Sequence, residues 1–216
     1  MSTTKNSSEC ETSPSKRGEL QVIFGPMFSG KTSELLRRIR RFQIRNDSCI
    51  LLKTKDSRYD NDNDKVVTHD LFNYLEAISC DCLFEVEAHA EDCDIIGIDE
   101  GQFFPDIGEF AEEMANRGKV VIVACLDSDF RREPFGNICN LVAKAETVTK
   151  LTSICLYCKG EASFSARISE EIDIKVIGGQ DSISQCAERA TMIYITISSN
   201  KLTQICLLYT SDAADE

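Results

Sequence analysis

What this 216-residue chain lacks narrows its function before any motif is read. It is short of basic side chains, 24 against 36 acidic ones, and a formal charge of −12 repels phosphate backbones and anionic lipid. No nucleic-acid partner and no membrane partner is therefore expected. It has no long hydrophobic run: the longest, Val120 to Leu126, is far too short to span a bilayer. Met1 to Gly18 is polar and rich in Ser and Thr, without the apolar segment of a secretory signal. No internal repeat and no extended low-complexity segment is found. Histidine is scarce, and neither His69 nor His89 belongs to a partnered motif, so both are read as structural or surface residues.

What remains is ordinary globular usage, 42% hydrophobic and 28% charged, which excludes a disordered chain. A chain of this length buries roughly two-thirds of its unfolded surface and needs no disulfides to hold a core. Eleven cysteines nevertheless occur, scattered from Cys10 to Cys206 rather than spaced as a framework. They read as reduced thiols in a cytoplasmic protein, with any close pair a candidate metal clamp.

Residues 1–17 read as a flexible tail with no hydrophobic period to bury. Order is expected from Leu20 to Phe24, an apolar run stopped by Gly25-Pro26 and too short for a helix, hence a buried strand. From Thr32 the apolar spacing turns helical (Leu35, Leu36, Ile39, Phe42), with Arg37, Arg38, Arg40, Arg41 and Arg45 opposite. That arginine row is read as a solvated face, with anion binding as the alternative. Cys49 to Lys53, Asp94 to Asp99 and Lys119 to Leu126 are further buried strands, and Lys55 to Asp64 is a polar loop. Asp106 to Arg117 carries a helical stripe ending at Gly118, a suitable C-cap. Strands and helices alternating in this way predict an α/β fold, a mostly parallel sheet with helices on both faces, over residues 18–150. Residues 151–189 look like a small β lobe, with short strands at Glu161 to Arg167 and Glu171 to Ile177. Residues 190–216 follow no recognisable plan, though Met192 to Ile197 has the makings of a strand and Thr210 to Glu216 is a polar end.

Gly25-Pro26-Met27-Phe28-Ser29-Gly30-Lys31-Thr32 satisfies G-x-x-x-x-G-K-[ST]. Its glycines let successive backbone N–H groups face inward around phosphate oxygens, Lys31 reaches the outer phosphates, and Thr32 offers a hydroxyl to Mg²⁺. A strand enters this loop and a helix leaves it, as the motif requires. The complementary acid is expected at the end of a neighbouring buried strand, where Asp99-Glu100 follows Ile98. Asp99 then holds the magnesium, and Glu100 is free to deprotonate an attacking hydroxyl or water. The plainer alternative is that both merely begin a loop.

Cys155-Leu-Tyr-Cys158 has the spacing that grips one tetrahedral Zn²⁺, against a redox dithiol or unligated thiols as alternatives. Cys186 lies downstream, but Arg189 stands three residues after it, so the set stops at three thiols. Phe103, Phe130 and Phe135 follow strand ends at the carboxyl edge of the sheet, where open α/β sheets bind ligands; each is otherwise a core residue.

With these residues in hand, the chain resembles the type II (cytosolic) thymidine kinases. The matching blocks include Gly25 to Thr32, Arg40-Arg-Phe-Gln-Ile44, Asp56-Ser57-Arg58, Thr68-His-Asp70, Ile96-Gly-Ile-Asp-Glu-Gly-Gln-Phe-Phe-Pro105, Pro134-Phe-Gly136 and Val176-Ile-Gly-Gly179. They run in order from about residue 18 to 186. The resemblance implies a P-loop NTPase fold of RecA-like kind carrying a zinc and lasso lobe. It also implies transfer of phosphate from ATP to the 5′-hydroxyl of thymidine, with deoxyuridine as a second substrate. In that reading Glu100 is the general base. The loop residues with Asp56, Ser57, Arg58, Asp99 and Gln102 hold the nucleotide, with Arg58 placed to stabilise charge on the transferring group. Met27, Phe103, Leu126, Phe130 and Phe135 line the base pocket, while Ser165 and the lasso residues Ile174, Lys175, Val176, Ile177 and Gly178 close over the nucleoside. Structural zinc on Cys155, Cys158 and Cys186 and a homotetramer are implied as well.

Two positions depart from the family pattern. Ile183 stands where the family has a lasso tyrosine, which removes a stacking or hydroxyl contact. Arg189 stands at the fourth zinc ligand, and Cys186 is one residue early. After about Gln185 no family block continues, as an altered reading frame, a retained non-coding segment or an appended tail would produce. Two other functions are weighed against the kinase. One is a P-loop ATPase motor on nucleic acid, whose basic face the sequence lacks. The other is a non-catalytic nucleotide-binding protein with a defective nucleoside lobe.

Overall fold

The computed structural model describes residues 18–55, 65–67, 74–155, 159–167 and 183–186. The elements run β1 (Glu19–Phe24), α1 (Lys31–Ile44), β2 (Cys49–Thr54), β3 (Lys65–Val67), β4 (Tyr74–Glu76) and β5 (Ile78–Cys80). They continue α2 (Glu87–Glu91), β6 (Ile95–Ile98), α3 (Ile107–Asn116), β7 (Val120–Cys125), α4 (Ile138–Lys144) and β8 (Thr147–Lys150). Then come β9 (Ser153–Ile154), β10 (Glu161–Ala162), β11 (Phe164–Arg167) and β12 (Ile183–Cys186).

Among the described residues the main sheet has six strands in the order β5-β2-β6-β7-β1-β8, each pair parallel. Its central strands bury both faces, which is why their sequences are continuous apolar runs rather than alternating ones. Alternate residues serve opposite cores. Leu20 and Val22 of β1, Ile96 and Ile98 of β6, and Val121 and Val123 of β7 pack with Ile107, Phe110 and Met114 of α3 and Leu141 of α4. Ile23, Ile95, Ile122 and Ala124 face the other way, onto Leu35, Leu36 and Ile39 of α1. Gly97 of β6 lets α1 settle against the sheet: a Cβ there would lie 2.4 Å from Ile39 Cδ1. Helices thus cover both faces, as expected.

The strands predicted at β1, β2, β6 and β7 and the helices α1 and α3 are all present, with ends shifted by one or two residues. Gly118, at φ 87°, closes α3 as a left-handed residue, with its N–H on Ala115 O at 2.9 Å. Several elements had no counterpart in the sequence reading, among them three at the main sheet. The edge strands β5 and β8 are short, and β8 is largely polar; α4 is two turns long. The arginine row of α1 proves to be interlaced with acids: Arg37 and Arg38 both bond Glu34, and Arg45 bonds Asp47. His89 is exposed on α2.

Beyond β8 the chain forms two small antiparallel ribbons, β9 with β10 and β11 with β12. The strand expected at Glu161 to Arg167 is split in two at Ser163. The tail 1–17, the strand expected at Glu171 to Ile177 and the segment 190–216 lie outside the described residues, as do His69 and most of the loop after Lys55.

Candidate active site

The loop from Gly25 to Gly30 joins β1 to α1 and must reverse sharply. Gly30 is left-handed at φ 82° and Phe28 at φ 60°. Gly25, at φ 153°, sits so close to the chain after β8 that a Cβ would lie 2.3 Å from the Leu151 carbonyl oxygen. Ser29 Oγ donates to Pro26 O at 2.9 Å and Lys31 Nζ donates to the same carbonyl at 2.7 Å, drawing the loop together. Burial pushes the Lys31 ammonium below its ordinary range, and the charges of Glu100 and then Asp99 oppose that shift. An ammonium so placed is desolvated in advance and directed toward anions. Thr32, in the first turn of α1, donates its hydroxyl to both oxygens of Asp99, at 3.1 and 3.2 Å.

β6 ends by delivering Asp99 and Glu100 beside this loop. The Asp99 carboxyl is buried, and burial, followed by the neighbouring charge of Glu100, pushes it up to about 7; the Thr32 hydroxyl and Lys31 pull the other way. A buried carboxylate paired with a hydroxyl is a hard oxygen donor set, of the kind magnesium takes. The residues fit that ion. Glu100 is itself left-handed, φ 53° and ψ 41°, an uncommon state for a residue bearing a Cβ. Its Oε2 accepts from Gln102 Nε2 at 2.5 Å, and Gln102 Oε1 accepts from Leu126 N–H at 2.9 Å.

The predicted base-pocket residues collect at the same sheet edge. Phe103 and Phe135 meet edge to face with centroids 5.5 Å apart, the Arg131 guanidinium stands 5.1 Å from the Phe130 ring centre, and Met27 and Leu126 are buried. Ser165 is buried on β11, and its Oγ accepts from the Met27 N–H at 2.9 Å. Ser153 Oγ donates to the Phe28 carbonyl at 3.1 Å. The Arg132 guanidinium lies 4.3 Å from the centre of the Phe164 ring. The small lobe is thereby tied to the phosphate loop by two bonds that no motif announces, since 138 residues separate Met27 from Ser165.

Cys155 is buried at the turn between β9 and β10, closed by Cys155 N–H on Gly160 O and Lys159 N–H on Cys155 O at 2.9 and 3.0 Å. A tight turn of this kind suits a C-x-x-C pair. The backbone register sets Cys186 of β12 opposite Phe164. Cys158, the side chain of Cys186, Asp56, Ser57, Arg58 and Ile174 to Gly178 lie outside the described residues. Among the described residues no group of three or more His, Cys, Asp or Glu side chains is gathered for a metal.

Comparison with known proteins places the chain in a family. The family profile described as thymidine kinase matches residues 18–190 of this chain. Thymidine kinase 1 of Dictyostelium discoideum is 55% identical over 173 residues, 78% of this chain and 76% of that protein. The human cytosolic thymidine kinase is 54% identical over 171 residues, covering 78% of this chain and 71% of its own. The thymidine kinase of Vaccinia virus (strain Ankara) is 52% identical over 165 residues, 76% of this chain and 91% of the viral one. This chain, whose sheet presents Lys31, Thr32, Asp99 and Glu100 around one loop and whose aligned residues are more than half identical to those of these enzymes, belongs to the thymidine kinase family.

Proposed function

We propose that the chain is a thymidine kinase that transfers phosphate from ATP to the 5′-hydroxyl of thymidine, with deoxyuridine as a second acceptor. One observation carries this reading: the Thr32 hydroxyl, at the exit of the phosphate loop into α1, is hydrogen-bonded to Asp99 at the end of β6, which sets the adjoining Glu100 beside that loop. In-line transfer of a phosphoryl group asks the protein for positioning and charge compensation, with little covalent chemistry of its own.

The backbone N–H groups of Gly25 to Thr32 and the Lys31 ammonium would take the triphosphate, Lys31 exchanging the Pro26 carbonyl for phosphate oxygens. Thr32 and Asp99 would hold magnesium, which when bound neutralises charge on the phosphates. Glu100 would accept the proton of the sugar hydroxyl as its oxygen attacks. Asp56, Ser57 and Arg58 are assigned to the nucleotide side, whereas Gln102, expected among them, is engaged by Glu100 and Leu126. Met27, Phe103, Leu126, Phe130 and Phe135 would form the base pocket, with Ser165 and Ile174 to Gly178 closing it. Zinc, held by Cys155, Cys158 and Cys186, would fix the small lobe. Cys49, Cys80, Cys82, Cys93, Cys125 and Cys139 form no disulfide among the described residues, in keeping with a cytoplasmic enzyme. We also propose a homotetramer, as the family resemblance implies; Val148 on the edge strand β8 and Ile154 beyond it are exposed.

The test is to incubate the purified chain with labelled thymidine, ATP and Mg²⁺ beside a Glu100→Gln variant. Transfer that falls by about 10³-fold in the variant, with ATP still bound, is the expected result. ATP binding without transfer by the unsubstituted chain would overturn the reading. Elemental analysis tests zinc independently, and a content near zero per chain removes the three cysteines from the ligand set.

A further inference from the structure

We infer that Gln102 is a positioning residue: its amide clamps the carboxylate of Glu100 to the end of β7, and so couples the base to the floor of the nucleoside pocket. This rests on the reading of Glu100 as the base.

The orientation of the amide is dictated by its partners. Leu126 offers a backbone N–H, which only donates, so Gln102 must turn its Oε1 that way, at 2.9 Å. That leaves Nε2 for Glu100 Oε2, at 2.5 Å, where an ionised carboxylate only accepts. Both ends of the amide are therefore in use, and Gln102 is only 6% exposed, so water is a poor substitute for either bond. The backbone around it is closely fitted: a Cβ on Gly136 would approach the Gln102 carbonyl oxygen to 3.1 Å.

Glu100 needs such a clamp. It is left-handed at φ 53°, an unfavourable state for a residue with a Cβ, and its side chain has several free torsions. Holding the carboxylate from β7 limits those torsions at the one place where a proton must be accepted. The anchor is Leu126, a residue of the base pocket, so the sugar hydroxyl and its acceptor are located from a common reference. No other residue type does this at position 102. A glutamate keeps the acceptor for Leu126 but sets carboxylate against carboxylate, and a leucine abandons both bonds.

Gln102→Leu and Gln102→Glu are prepared alone and in a Glu100→Gln background, and all are assayed at saturating and limiting ATP and thymidine. Positioning predicts that each single variant loses about 10²-fold in kcat, with KM for both substrates changed less than about threefold. Added to Glu100→Gln, either substitution costs less than about threefold more, because its effect passes through a carboxylate no longer present. Gln102→Glu preserves volume and the Leu126 bond, so it reports even if Gln102→Leu fails to fold. A full further loss in the Glu100→Gln background, a raised KM for ATP at unchanged kcat, or full kcat in Gln102→Glu would each overturn the inference. A Glu100→Gln enzyme that keeps its activity would instead overturn the assignment of the base, a separate outcome.

Discussion

The residues proposed to handle phosphate and those proposed to cover the nucleoside are held in different ways. Lys31 follows β1, which is paired on one side with β7 and on the other with β8; Asp99 and Glu100 follow β6, paired with β2 and β7. Ser165 stands on β11, whose partner among the described residues is the short β12. The first group rests on two apolar cores, the second on the Met27–Ser165 and Ser153–Phe28 bonds and the stacking of Arg132 on Phe164. The proposed catalytic geometry thus rests on the part that cannot relax without unfolding. The proposed cover is attached by interactions worth roughly 1 kcal/mol each.

The largest expected effect comes from removing the loop cation. Lys31→Met should lower kcat/KM for ATP by about 10³–10⁴-fold, within the scale for losing a cation that stabilises charge on the transferring phosphoryl group. Because burial already disfavours that ammonium, the unliganded variant should unfold no earlier than the parent, as read by thermal denaturation. A large fall in Tm would mean that the loop lysine supports the fold, and the division drawn above would fail.

Phe110→Ala tests the sheet half from the opposite direction. Phe110 is fully buried between α3 and the sheet, and Phe84 meets it edge to face at 5.3 Å. Its truncation should cost about 3–5 kcal/mol and lower Tm by about 10 °C. Below the transition, kcat and KM should stay within about twofold of the parent, since the cavity lies away from the loop.

Ser165→Ala probes the lobe. Removing the acceptor of the Met27 N–H should cost about 1–2 kcal/mol of lobe attachment. The expected reading is a thymidine KM raised about five- to tenfold with Tm changed by less than about 3 °C. A variant that loses kcat instead would place Ser165 with the catalytic group.

This division also marks what the sequence made legible. The strands β1, β2, β6 and β7 were readable because a strand buried on both faces is an unbroken apolar run. The phosphate loop was readable because its glycines and lysine are fixed by the shape of a phosphate group. The edges β5 and β8 were not, since a strand covered on one side or short of a full period leaves no such signature; Thr147–Lys150 reads as polar chain. The bonds from Gln102 to Glu100 and from Ser165 to Met27 were equally invisible. Each depends on where a side chain ends in space, which spacing does not encode.

The smallest effect concerns the carboxylate that fastens α1 just behind the loop. Glu34 sits in the first turn of α1, where the helix dipole favours a negative charge, and it accepts from Arg37 Nε at 2.5 Å and Arg38 Nε at 2.8 Å. The Arg37 bond first, with help from Arg38, pulls its carboxyl from an ordinary 4.5 to about 2. A carboxyl depressed on folding stabilises the native state above its unfolded value, and that contribution fades as pH falls from about 4.5 toward 2. Arg37 is more than half exposed, so solvent screens the pair, and Glu34→Gln should cost about 1 kcal/mol at pH 7. Chemical denaturation at pH 7, 5 and 3 should show the gap between variant and parent steady over the first step and shrinking over the second. A gap that widens toward pH 3 would mean that Glu34 does not carry this charge, and that packing alone seats α1 behind the phosphate loop.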